Sequence, residues 1–512
     1  HQQPVVQRFA IALLEAGEAL TALIRETLST TLAVDDLDAV TEQLERTSSP
    51  RVDLKTLAAG TGKLSSDHTI DTDHVLRLLD LSKQVTSAHH RFVKGKHGLG
   101  RARYGVAVAG DTSTAWAATF PHNPFQAPAL IDLSGDAAGL AAGLVEGQLE
   151  ETTAFVRLLR LARLEIEQPD GLDWQRQKLG TLRWQDLSDE EHALCPPLLL
   201  IGSDAMLAGQ GLSQLIGLLN SGLPVKVLLL HALDFGLASD PATAAERAPT
   251  NNSRSNLSLL ALAQRNAFIA QTSVADPVHL GDSVLAALAF DGPALLQVYA
   301  PSPTRHGFAS NQTIEQALFA VQCRVLPVFR YDPGADGVFG ARLDLAGNPQ
   351  VAELLAQTAD DSPPASPADW ALRQKRFRGC FEPLRSDAGT PVALHEWLRL
   401  ESNQRSGKAP YVVSGDGDEA QQLAVRPGML AMTEQCVATW QTLQEIAGVV
   451  TPFTARLEQD IRAEVAAEHA AEIAALKQES EAQVAAVQER VEAEVASKIR
   501  SRLMDLASRK RS

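Results

Sequence analysis

The residues best placed for chemistry in this 512-residue sequence stand where apolar runs stop. Pro197-Leu-Leu-Leu-Ile-Gly-Ser-Asp-Ala-Met206 reads as a buried strand that turns at Gly202 and enters a helix at Asp204. Glycine permits a tight turn, a helix start attracts anions, and a carboxylate there can hold a divalent cation against a diphosphate. An Asp in that place also serves as an ordinary N-cap. His231 and Asp234 close another apolar run, so Asp204, His231 and Asp234 form a candidate site for a metal or small ligand; one imidazole with two carboxylates suits Zn or Fe. The plainer alternative has Asp204 capping its helix, His231 on a backbone carbonyl and Asp234 capping a turn. The basic, glycine-rich stretch Lys94-Gly-Lys-His-Gly-Leu-Gly-Arg-Ala-Arg103 could cradle phosphate or serve as a solvated linker. Ser302, His306 and Asp332 have the types of a hydrolase triad, but the G-x-S-x-G turn of a nucleophile elbow is missing. His89-His90 has no metal-ligand partner at matching spacing. No residue is assigned a catalytic role.

These residues need strands and helices to hold them. Short apolar runs at Tyr104–Val108, Leu198–Ile201, Val225–Leu230, Phe268–Thr272 and Ala294–Tyr299 alternate with amphipathic stretches, most clearly Met206–Leu219 and Leu257–Gln264. Strands too apolar to face water on either side, separated by helices, predict an α/β fold with a doubly wound parallel sheet. Ligands in such sheets lie at the carboxyl ends of strands, which singles out the turns after Ile201, Leu230 and Tyr299. Residues 1–103 read as a helical lead-in ending in the basic loop, 104–350 as the α/β domain, and 351–454 as an irregular, partly helical extension. Residues 455–512 read as one long helix, almost free of Gly and Pro. Its apolar residues recur every eleven positions, with Ile473, Val484, Val495 and Leu506 in one row and Val465, Leu476 and Val487 in another. That period of about 3.67 residues per turn predicts straight or slightly right-handed packing, hence a coiled-coil-like helix with a partner.

Composition narrows the function. Forty-six basic against 62 acidic residues leave a formal charge of −16, which argues against a general nucleic-acid binder. Apolar residues at 45% and charged residues at 21% describe a globular chain. No apolar run approaches the roughly 20 residues that span a bilayer, and the N-terminus lacks the features of a signal peptide; the expectation is a cytoplasmic protein. A chain that opens at His1 without Met reads as a processed product or a segment of a longer polypeptide. Cys195, Cys323, Cys380 and Cys436 are too scattered for a C-x-x-C pair and are expected to be buried, reduced thiols.

Over roughly Arg103 to Pro349 the sequence resembles the thiamine-diphosphate domain of pyruvate:ferredoxin and related 2-oxoacid:ferredoxin oxidoreductases. Four stretches carry the resemblance. Ala109-Gly-Asp-Thr-Ser113 with Phe120-Pro-His-Asn-Pro-Phe125 is similar to the family's Thr-Gly-Cys-Ser-Ser segment and its Pro-rich loop. Gly202-Ser203-Asp204 with Leu219-Asn-Ser-Gly-Leu-Pro-Val225 resembles its Gly-Asp-Gly turn and Ala-Ser-Gly exit. Asp291-Gly-Pro-Ala-Leu-Leu-Gln-Val-Tyr-Ala-Pro301, followed by His306-Gly307, resembles its Gly-Pro-Ser-Leu strand and Tyr-Ala-Pro-Cys ending. Val328-Phe-Arg-Tyr-Asp-Pro333 resembles its Leu-Phe-Arg-Tyr-Asp-Pro. The resemblance implies a thiamine-diphosphate-binding fold, with Gly110, Asp111, Gly202 and Asp204 as relic cofactor contacts.

Departures from the family pattern carry as much as the matches. The resemblance places the family's metal-binding Asp at Asp204, but puts Ala205 where a Gly follows it, Ala232 where a Thr holds Mg²⁺, and Phe235 and Leu237 at a Tyr and an Asn. Those replacements remove oxygens that a hard cation requires. The family's cluster-binding Cys in Tyr-Ala-Pro-Cys is Ser302, no Cys precedes Cys195, and iron–sulfur clusters need thiolates. Asp111 stands at the Cys of the Thr-Gly-Cys segment. Asn251-Asn252 lies too far from Asp204 to complete the general thiamine motif. One expectation is therefore a degenerate thiamine domain in a redox complex, kept for structure or assembly. It would hold no cofactor itself, form a homodimer or larger oligomer, and meet iron–sulfur clusters or other redox modules on other segments or subunits. A second is a divergent, working 2-oxoacid oxidoreductase domain with thiamine diphosphate and Mg²⁺ on Asp204. A third is the rebuilt site at Asp204, His231 and Asp234.

Overall fold

The computed structural model describes residues 2–29, 51–53, 69–96, 98–110, 125, 127, 129–167, 173–207, 211–237, 256–357, 363–385, 389–415 and 420–509. The first helix, α1 (Gln2–Ser29), places Phe9, Leu13, Ala16, Leu20 and Ile24 at three- and four-residue spacing, and all five are buried. They meet α2 (Thr72–Val93) and the far half of α3 (Ala137–Glu167), where Phe155, Val156, Leu159 and Ala162 complete one apolar cluster. Each fully buried large side chain there contributes about 1.5–3 kcal/mol. A short antiparallel pair, β1 (Arg51–Asp53) and β2 (Thr69–Asp71), precedes α2. The near half of α3 turns Ala137, Ala138, Ala141 and Val145 onto the main sheet instead, so one helix fastens the lead-in to the α/β body.

That body is a sheet of eight strands: β3 (Gly105–Val108), β4 (Ala129–Ile131), β5 (Leu198–Ser203), β6 (Val225–His231), β7 (Phe268–Ser273), β8 (Ala294–Tyr299), β9 (Phe329–Tyr331) and β10 (Leu343–Asp344). Across the sheet they run β10-β9-β7-β8-β6-β5-β3-β4. All pairings from β7 to β4 are parallel, while β9 runs against both its neighbours. Every residue of β7 and β8 is buried, as expected for strands covered on both faces. Successive side chains point to opposite sides. Ala107, Leu198, Leu200, Val225 and Val227 pack with α4 (Leu212–Asn220) and α5 (Leu257–Gln264), and Phe268, Ala270 and Leu296 pack on the other face with α6 (Pro277–Ala289). The protein is thus mixed α/β, with a largely parallel sheet.

The expected single helix over Met206–Leu219 is two shorter ones, Asp204–Leu207 and α4, with 208–210 outside the described residues. Residues 351–454, expected to be irregular and helical, contain a second sheet in the order β11-β14-β13-β12. Its strands are Phe381–Pro383 (β11), Thr390–Ala393 (β12), Lys408–Ser414 (β13) and Gln421–Val425 (β14). The helix that follows, here α8 (Pro427–Ile446), packs Trp440 and Leu443 into the core of the main sheet and Met429, Met432 and Val437 into a second cluster with Tyr299 and with Trp370 of α7 (Pro367–Leu372). This segment is therefore built into the body. Beyond it α9 (Pro452–Arg509) runs unbroken for 58 residues. No described helix is long and apolar enough to cross a membrane.

Candidate functional site

The strand order reverses at β3, whose neighbours are β4 on one side and β5 on the other. At such a switch point the loops leaving adjacent strands part and open a crevice at their carboxyl ends. Gly110 leaves β3 there and Gly202-Ser203-Asp204 leaves β5. Both glycines are dictated by crowding: a Cβ on Gly110 would lie 2.2 Å from the carbonyl oxygen of Asp132, and one on Gly202 would lie 2.8 Å from Ala109 Cβ and 2.9 Å from Leu207 Cγ. Asp111 and most of the stretch through Phe125 lie outside the described residues.

One strand further on, β6 ends at His231, and its Nδ1 lies 2.7 Å from Asp204 Oδ2. The contact is close without being an aligned hydrogen bond, since Nδ1 has no partner of good geometry. Asp204 Oδ1 accepts from the Ala205 N–H at 3.0 Å. Burial pushes the Asp204 carboxyl up, but His231 and the N–H groups of Ala232 and Ala205 outweigh it and hold the group below the usual carboxylate range. Proton or metal chemistry at this pair would have to use the other imidazole nitrogen. Asp234 goes elsewhere: its two oxygens meet Arg305 and, at 2.5 Å, Arg376. Two members of the candidate triad thus come together and the third is neutralised by arginines. Among the described residues no group of three or more His, Cys, Asp or Glu side chains converges on a metal position.

The loop after β6 is where the thiamine resemblance would put cofactor and cation contacts. Leu233 and Phe235 adopt φ of 55° and 53°, a left-handed region that costs bulky residues about 1–3 kcal/mol each unless their surroundings fix it. Arg376 fixes it, donating to the Ala232 carbonyl at 3.0 Å and to Asp234, while Nε donates to Gln374 Oε1 at 2.8 Å. Leu233 is buried and Phe235 packs edge-on against Trp370, with centroids 6.3 Å apart. Beside them Tyr299, which pairs in register with His231, is fully buried. Burial pushes its hydroxyl up to about 12, with Arg376 opposing. His306 is also buried, and burial, then Arg376 and Arg305, holds its imidazole down to about 3. Among the described residues neither His306 ring nitrogen, nor Tyr299 Oη, nor Trp370 Nε1 has a hydrogen-bond partner.

These arrangements test the cofactor motif by its donors. Mg²⁺ needs a cage of oxygens, yet Asp204 is occupied by His231 and a backbone amide. The neighbouring strand end offers the apolar side chains of Ala232, Leu233 and Phe235, and its carboxylate, Asp234, is held by Arg305 and Arg376. The described residues do not fit that cation. Nor do the cysteines gather: none of the four forms a disulfide and all are buried, and burial pushes the thiol of Cys436 up to about 12, the opposite of a cluster thiolate. Ser302 accepts from Arg305 N–H at 3.4 Å as a helix cap, and Asp332 accepts from Gly334 N–H at 2.8 Å; with His306 unpartnered, no triad forms. The glycine-rich loop of Lys94–Arg103 likewise turns inward. Its Lys94, Gly95, Gly100 and Arg101 N–H groups all donate to carbonyls between His90 and Lys94. Arg101 reaches Leu194 O at 3.0 Å and Thr152 Oγ1 at 2.8 Å, so the loop clasps the lead-in to the body. No model of a known protein family matches the chain.

Arg376 is the residue that sequence reading missed. The only signal it gave was an Arg-Gln-Lys-Arg-Phe-Arg run beside Trp370, where so many cations next to an apolar stretch need carboxylate or carbonyl partners.

Proposed function

We propose that this chain is a segment of a pyruvate:ferredoxin oxidoreductase-like redox complex, in which a thiamine-diphosphate-type α/β domain has lost its cofactor and serves structure and assembly. The parallel run of six strands, with its switch point flanked by Gly110 and by Gly202-Ser203-Asp204, supports the thiamine-type reading of the sheet. The observation that carries the loss is the closed loop after β6. Where a cation and a diphosphate need oxygens and open space, Leu233 and Phe235 fill the loop from within and Arg376 stitches it to Asp234 and the Ala232 carbonyl. Electrons in such a complex would travel through iron–sulfur or other redox modules on other segments or subunits, and the domain would hold those parts in place.

Thermal unfolding with and without thiamine diphosphate and Mg²⁺ tests this reading. A ligand that binds only the folded chain at a hundred times its Kd adds about 2.7 kcal/mol, a shift of several degrees. The expected result is an unchanged midpoint up to millimolar cofactor; saturable stabilisation at micromolar cofactor overturns the proposal.

A further inference from the structure

The helix α9 exposes what the body hides. Phe453, Leu457, Ile461, Val465, Ile473 and Leu476 begin an apolar stripe that runs to Leu506, each 44–72% exposed. From Leu457 to Leu503 the stripe advances in steps of 4-4-4-4-3-4 and then 4-3-4-4-4-4, with His469 and Ser480 as its polar members. That step pattern reads the same in both directions about Ser480. Leu457 and Leu503 are equidistant from it, as are Ile461 with Ile499 and Val465 with Val495, and every other position in this span reflects onto another. We propose that α9 pairs with α9 of a second copy of this chain, antiparallel, with the two-fold axis at Ser480.

A foreign helix would need no such palindrome. An antiparallel copy does need it, because each layer then sets position i against its reflection, and a stripe without the symmetry would drift off the seam. The mean step of about 3.8 residues exceeds 3.6, so the pair winds with a right-handed supercoil. From Leu457 to Leu503 the seam spans about 70 Å at 1.5 Å per residue.

Charge selects the antiparallel arrangement over the parallel one. The stretch Lys498 to Arg511 carries six basic residues against Asp505, whereas Glu458 to Glu472 holds five acids against Arg462. In the antiparallel pair, the edge one residue before each stripe position faces the same edge of the other copy. Asp460 then lies beside the other copy's Lys498 and Arg502, and Glu464 between its Glu494 and Lys498. Lys498 already holds Glu494 in its own helix at 2.7 Å, which leaves its two other protons for this contact. A parallel pair would stack Lys498, Arg500 and Arg502 of both copies together. Like charges at an interface are disfavoured and opposite ones fix register.

The inference does not depend on the thiamine reading, since it uses only residues of α9. Light scattering of the full chain should give twice 54.9 kDa. Val465→Cys and Val495→Cys then decide orientation, because both positions are exposed and the native cysteines are buried. Antiparallel pairing about Ser480 holds the two copies of either residue about 45 Å apart, yet sets Val465 against Val495. Each variant alone should therefore give no disulfide-linked dimer under mild oxidation, and the two variants mixed should give one. A monomeric mass at tens of micromolar chain, or a cross-linked dimer from either variant alone, overturns the proposal.

Discussion

The body and the arm of this protein leave opposite kinds of groups unmet. At the carboxyl ends of β6 and β8 the body encloses polar atoms, the His306 nitrogens, Tyr299 Oη and Trp370 Nε1, that have no hydrogen-bond partner among the described residues. The arm α9 instead presents large apolar side chains to water along its whole length. A buried polar group without a partner costs about 1–3 kcal/mol, and an uncovered apolar stripe forgoes about 25 cal/mol per Å². The body can tolerate its cost because the surrounding core is large. The arm has no core of its own, and its stripe is the surface that the proposed second copy would cover.

The largest expected effect tests the enclosed side, through pH. The His306 imidazole titrates near 6.5 when the chain is unfolded and is held to about 3 in the fold by burial and by Arg376 and Arg305, with Asp234 on the far side of both arginines. A depressed folded value means the contribution is fully present above pH 6.5 and is lost as pH falls from there through about 3. Each pH unit in that window removes about 1.4 kcal/mol, for at most about 5 kcal/mol in all. Urea unfolding at pH 7, 5.5 and 4.5 should show a decline shallower by about one proton in His306→Leu than in the wild type. Parallel declines would mean that the imidazole finds a proton acceptor in the fold, and the contrast between body and arm would weaken.

Next in size comes Arg376→Leu. The guanidinium is 12% exposed and holds Asp234 and the Ala232 carbonyl, so its loss leaves a carbonyl without a donor and frees a loop whose Leu233 and Phe235 are left-handed. Because Asp234 is 41% exposed and keeps Arg305, the ion pair itself counts for little. Lost hydrogen bonds and loop ordering together predict about 2–4 kcal/mol, read as a lower urea midpoint at an unchanged slope. Arg376→Lys should recover only part, since an ammonium cannot span both acceptors in one plane. A loss below about 0.5 kcal/mol would show that Trp370 and Phe235 shape the loop without the arginine.

Much of the body was legible because apolar runs of strand length leave few alternatives. Val225–Leu230 and Ala294–Tyr299 fall within β6 and β8, and the ends of β5 and β6 pointed to Asp204 and His231, which do touch. The pairing of Asp234 with Arg376 was not legible, because the arginine lies 142 residues away and a charged run reads as surface until a fold encloses it. The second sheet escaped notice for a different reason. Gln421–Val425 opens on two glutamines and shows no clean alternation, and Pro391 and Pro410 stand within the strands that carry them; proline is an argument against a strand. Here β12 is an edge strand, and Pro410 faces Val392 across a parallel pairing. Only tertiary placement, on Trp370 and Trp397, supplies what local pattern lacks.

The smallest expected effect is on the other side of the contrast. Every described side chain of α9 from Arg456 to Leu506 is exposed, and none joins an apolar cluster of the body. Deleting Arg456–Ser512 should therefore leave the body's urea midpoint within about 0.5 kcal/mol, the range of surface changes, although far-ultraviolet circular dichroism will lose the helix. All six tryptophans precede the arm, so their fluorescence reports the body alone. Stability conferred by a second chain depends on concentration, whereas stability within one chain does not. A body that loses 2 kcal/mol or more on deletion at low micromolar chain, independent of dilution, would mean that the arm folds back on its own α/β core. The apolar stripe would then belong to the same economy as Tyr299 and His306, and the two regions would cease to be opposites.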